Sequence, residues 1–64
     1  MCLSTVYRNE MVDNNIVARY VSEIKIKGDQ IELVDVMGTG TNIRGWISFV
    51  DLTGGKVVIS SDKE

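Results

Sequence analysis

The chain has one cysteine, Cys2, and no histidine. A thiol at the second position has neighbours that an internal cysteine lacks. These are the α-amine at the chain start and the peptide nitrogen beside it. A free thiol ionises near pH ~8.5 and an α-amine near ~8, so a divalent metal displaces both protons around neutrality. With Met1 removed, the Cys2 amine and sulfur close a five-membered chelate ring. With Met1 retained, its amine, the Cys2 amide nitrogen and the Cys2 sulfur form a tridentate hook. Binding through a deprotonated amide favours Ni(II) or Cu(II) in square-planar geometry. Cys2 and Met1 are thus the candidate metal ligands. One chain offers too few strong ligands for a closed four-coordinate site. Two copies related by a two-fold axis supply matched N/S pairs, so metal binding is expected to accompany a homodimer that shares one ion. The competing reading makes Cys2 a small buried hydrophobe with no ligand role.

Other constellations are weaker. Gly38-Thr39-Gly40-Thr41-Asn42 contains GxG, but no GK[ST] follows and no helix pattern begins after it. Thr53-Gly54-Gly55-Lys56 is likewise a turn between strands. The acids Glu10, Asp13, Glu23, Asp29, Glu32, Asp35 and Asp51 are spread along the chain. No histidine is present to act as a base, and no serine has an activating partner in sequence, so no enzyme is expected. The aromatics Tyr7, Tyr20, Trp46 and Phe49, with Lys25, Lys27 and Arg44, could stack and hold single-stranded RNA. The net charge of −2 weighs against that, because nucleic-acid binders normally carry a basic field. The aromatics are expected to fill a core or an interface instead.

These residues need a small scaffold. Sixty-four residues make one domain, and a domain this size buries only ~60% of its unfolded surface. Such domains gain support from disulfides, metals or oligomerisation, and a single cysteine excludes an internal disulfide. The expected layout is one small β-barrel domain over residues 1–60 and a polar, frayed tail over 61–64. The dominant pattern has period two. Ile24-Lys25-Ile26-Lys27, the turn Gly28-Asp29, and Gln30-Ile31-Glu32-Leu33 predict a tight hairpin with Ile24, Ile26, Ile31 and Leu33 inward. A second pair is expected from Ile43–Leu52 and Lys56–Ser60, with a bulge or bend at Gly45. Cys2–Tyr7 predicts a further strand, Asp13-Asn14-Asn15 a turn, and Ile16–Val21 either a short strand or one helical turn. Five to six short strands with glycine- and asparagine-bearing turns predict an all-β fold, a strongly bent antiparallel barrel.

Met1-Cys2-Leu3 with Val6-Tyr7, the Gly28-Asp29 hairpin with Ile31, Leu33 and Asp35, then Gly38, and Gly45-x-Ile47 with Val50-Asp51-Leu52 carry a resemblance that spans nearly the whole chain. The sequence resembles the CooT family of small nickel-binding proteins, associated with maturation of carbon monoxide dehydrogenase. The resemblance implies a cytoplasmic homodimer of small β-barrels that binds Ni(II) through Cys2. It implies a nickel chaperone whose recipient is a metalloenzyme such as carbon monoxide dehydrogenase. Some members carry the label of RNA-binding proteins, so the alternatives are a small RNA-binding barrel or a protein-interaction module with an inert Cys2. Residues 38–42 depart from the family pattern in being rich in glycine and threonine where acids are expected. The opening segment has no basic region ahead of a long apolar stretch, so no secretory signal is expected. No apolar run approaches the ~20 residues of a membrane span. An unpaired thiol fits a reducing, cytoplasmic compartment.

Overall fold

A computed structural model of the chain describes residues 3–61. Six strands follow one another: β1 (Ser4–Arg8), β2 (Ile16–Lys27), β3 (Gln30–Asp35), β4 (Gly40–Arg44), β5 (Trp46–Asp51) and β6 (Lys56–Ser60). A single 3-10 turn, Asp13–Asn15, precedes β2. The strands form one sheet in the order β4-β3-β2-β1-β6-β5. Every pairing is antiparallel except β1 with β6, which run parallel. The fold is therefore all-β, as the alternating pattern requires.

The hairpin at Gly28-Asp29 forms as the sequence predicts. Ile24 stands opposite Leu33, Ile26 opposite Ile31 and Lys25 opposite Glu32. Gly28 takes φ +60, a left-handed conformation that glycine adopts without a Cβ penalty. Ile31 and Leu33 are almost fully buried and join Val6, Val21, Ile43, Val57 and Ile59 in one core. Ile24 packs against that core, but Ile26 is 63% exposed. The reason is strand length. β2 has twelve residues, and β1 pairs with it only from Ile16 to Val21. Ile26 lies beyond the reach of β1, where the sheet has no neighbour on that side to cover it.

Of the two readings open for Ile16–Val21 the strand holds, because the stretch runs unbroken into the hairpin arm. One expectation is corrected. The segment Ile43–Leu52 is not one arm of a hairpin. Its first part belongs to β4, which pairs with β3, and only β5 pairs with β6.

Gly45 makes that division. It takes φ +151, and its N–H donates to the Asp29 carbonyl at 2.9 Å. A Cβ there would drive into the carbonyl oxygen of Ser60. β4 and β5 are the two edges of the sheet, yet Gly45 alone joins them. The sheet must curl until its edges meet at this corner. No ladder links β4 to β5, so the sheet is not closed, and "barrel" describes its curl rather than its hydrogen bonding.

Candidate metal-binding N-terminus

The candidate ligands Met1 and Cys2 lie outside the described residues. What the structure fixes is the place from which they lead. Ser4 opens β1, a central strand flanked by β2 and β6. Ser4 stands opposite Val21 of β2, and Thr5 stands beside Lys56 of β6. The Thr5 N–H donates to the Gly55 carbonyl at 2.8 Å. Position 3 is therefore the last one before a strand anchored on both sides.

One turn borders this strand end, and a second lies across β2 from it. The first joins β5 to β6. Asp51 organises it: its carboxylate accepts from the Gly54 N–H at 2.9 Å, and its carbonyl accepts from the Gly55 N–H at 2.8 Å. Gly55 has φ +69, and a Cβ there would come within 3.2 Å of the Leu3 carbonyl oxygen. Glycine is thus required both by the backbone conformation and by the close approach of the chain start. The second turn follows β3. One oxygen of the Asp35 carboxylate accepts from the N–H groups of Met37 and Thr39, at 2.9 and 3.0 Å. The Val36 N–H donates to the Tyr20 carbonyl at 2.9 Å, tying this turn to β2 next to Val21. Tyr20 itself has φ +56, within an irregular stretch of the β1–β2 pairing.

These bordering segments are apolar at their tips. Met37 is 85% and Leu52 80% exposed, and Leu3, Tyr20 and Val36 also face solvent. The alternating pattern does not bring them out, since Leu3 precedes β1, Val36, Met37 and Leu52 sit in turns, and Tyr20 lies in an irregular stretch of β2. The signal available in the sequence was the presence of large apolar side chains at turn positions such as Met37 and Leu52, where polar residues are usual.

Among the described residues, no three His, Cys, Asp or Glu side chains gather as a metal cluster. The acids near the chain start are committed elsewhere. Asp35 and Asp51 both accept from backbone N–H groups of their own turns.

The surface considered for RNA is less coherent. Trp46 and Phe49 of β5 are about half exposed, and Tyr20 lies on β2. Lys25 is paired directly with Glu32 across the ladder, which offsets its charge. Arg44 is within 3.6 Å of Asp29. Two of the three cations named from the sequence, Lys25 and Arg44, thus stand beside acids, while Lys27 faces Gln30. Among the described residues, no helix is long and apolar enough to cross a membrane.

The family model described as "CO dehydrogenase accessory protein CooT" matches residues 1–60. Comparisons with curated proteins and with solved structures gave no match. The matched span includes Cys2 and ends with β6, so it takes in every strand of the sheet. The chain belongs to the CooT family of carbon monoxide dehydrogenase accessory proteins.

Proposed function

We propose that this protein binds Ni(II) as cargo and delivers it to a metalloenzyme such as carbon monoxide dehydrogenase, and is not itself an enzyme. The Cys2 thiolate and the adjoining N-terminal nitrogen, Met1 included where it is retained, hold the ion. The family match carries the accessory role. The anchoring of β1 supports the reading, because the chain from Cys2 leads directly into a strand held on both sides.

Two chains share one ion across a homodimer interface in this reading. The exposed apolar residues on the segments bordering Leu3 support it. An interface that brings two Cys2 sulfurs to one metal has to form around the strand end, and Met37 and Leu52 stand on the turns beside it. A site with few protein ligands, opened by separation of the protomers, exchanges its metal readily. The cytoplasm is the expected compartment for a reduced thiol of this kind.

Titration of Ni(II) into the wild-type protein and Cys2→Ser, followed by absorption spectroscopy, tests the reading. The wild type is expected to show a thiolate-to-nickel charge-transfer band that saturates at one ion per two chains. Cys2→Ser is expected to lack the band. Equal nickel binding by both proteins removes the sulfur from the site. Saturation at one ion per chain removes the shared geometry. The mass of the purified protein identifies which terminal nitrogen takes part.

A further inference from the structure

Strand β2 changes partners at Val21. β1 pairs with Ile16, Ala18 and Val21, and β3 pairs with Val21 through Lys27. From Glu23 to Lys27, no described residue pairs with the side of β2 that faces away from β3. We infer that this stretch joins two copies of the chain, antiparallel and edge to edge, about a two-fold axis at Lys25. The inference rests on the homodimer reading above and names the strand through which the copies meet.

The first observation is the open edge. Antiparallel pairing with β3 uses the N–H and C=O groups of alternate residues, so those of the residues between point outward. Such an edge is a template for a further strand unless a proline or a bulge spoils it. Glu23–Lys27 contains no proline, and its ladder with β3 runs from Glu23 to Lys27 without a register shift. Lysines on an edge repel most partners, and here their spacing selects one.

The second observation is charge. Across the ladder Lys25 faces Glu32, but Glu23 faces Val34 and Lys27 faces Gln30. The two outer charges of the edge thus have no counter-charge on β3. The ion pair found among the described residues, Arg44 with Asp29, involves neither. In a two-fold pair centred on Lys25, Glu23 stands opposite Lys27 of the partner subunit, and Lys27 stands opposite Glu23 of the partner subunit. Symmetry makes this match twice. The two Lys25 side chains meet at the axis, each beside its own Glu32. A one-residue slip in either direction sets Lys25 against an isoleucine, so the register is specified.

The third observation is Ile26. It stands opposite Ile31, which is buried, yet is itself 63% exposed. Ile24, on the same face, packs against the core. In the proposed pair, Ile26 lies opposite Ile24 of the partner subunit, which covers it and continues the apolar row. The edge also starts beside the surface already assigned to the dimer. Val21, its last residue before the open stretch, pairs with Ser4 and with Asp35, and the exposed Val36 and Met37 follow Asp35 directly.

The test is sedimentation equilibrium of the full chain at low ionic strength, with and without Ni(II). Glu23→Lys and Lys27→Glu each convert both cross-subunit ion pairs into like-charge pairs, and neither disturbs an opposite charge on β3. Each is expected to weaken the wild-type dimer about tenfold or more. The two variants move the net charge in opposite directions, so a common loss is not an effect of overall charge. The double variant Glu23→Lys/Lys27→Glu restores the match and is expected to return to within about threefold of the wild type. Circular dichroism checks that these exposed substitutions keep the fold. Single variants as tightly associated as the wild type, or a double variant as weak as the singles, overturn the β2 edge and leave the homodimer standing. A wild type that stays monomeric at every concentration, with nickel and without, overturns the homodimer and this inference with it.

Discussion

Replacing Gly45 with alanine puts the curl of the sheet to a quantitative test. Two separate costs arise at this position. A non-glycine residue at φ +151 sits in sparsely populated backbone space, at about 1–3 kcal/mol. The added Cβ also meets the carbonyl oxygen of Ser60 and comes within 3.4 Å of Ile59 Cγ2. Ser60 lies in β6 opposite Trp46, so its carbonyl is not free to swing aside. Forcing an atom into such a contact adds about 1–3 kcal/mol. The sum is about 2–6 kcal/mol. A 64-residue domain has a total stability of about 3–10 kcal/mol, so the variant should lose a large part of it. Gly28→Ala is the control. It has φ +60 with nothing within 4 Å of the new Cβ, so only the left-handed penalty of about 1–2 kcal/mol applies. Urea unfolding followed by circular dichroism measures both. Gly45→Ala is expected to be the more destabilised by at least about 1 kcal/mol. Equal losses in the two variants would refute the close approach at the corner, and with it the meeting of the two sheet edges.

The other predictions follow from the turns after β3 and after β5. Asp35→Ala removes the acceptor for the Met37 and Thr39 N–H groups. Because water can replace it at an exposed turn, a loss of only about 1 kcal/mol in a urea melt is expected, and no measurable loss would show that the carboxylate does not hold the turn. Converting Met37 and Leu52 together to glutamate places charges on both exposed apolar turns. At concentrations where the proposed wild-type homodimer forms, the double variant is expected to sediment as a monomer, with association weakened about tenfold or more. An unchanged dimer mass would locate the interface elsewhere.

The hairpin at Gly28-Asp29 was legible because period two and a turn dipeptide are local signals, and they hold in the structure down to the Ile26–Ile31 and Lys25–Glu32 pairs. Gly45 was legible as a break for the same reason: a lone glycine inside a β-rich run marks a bend. The partners of the strands were not legible. Nothing in the alternation of Ser4–Arg8 says that it lies between β2 and β6, or that one of those pairings is parallel. Those contacts join residues far apart in sequence, and alternation says which face a residue takes but not which strand lies beside it. Ile26 failed for a related reason, since its exposure depends on where β1 stops rather than on its own neighbours. Val58 shows the same limit. It alternates out of the core cluster yet is buried, on the face opposite Val57 and Ile59. At the proposed metal site, the residue type at position 2 carried the reading, and Met1 and Cys2 lie outside the described residues.

The parallel alignment of β1 with β6 sets an order of events during biosynthesis. Strand β1 leaves the ribosome well before Lys56 to Ile59, the residues it must lie against. Long-range pairing of this kind is slow, and it cannot begin until β6 has been released. The strand that Cys2 leads into is therefore framed only in the finished sheet, and the proposed nickel loading belongs to that state and not to the nascent one.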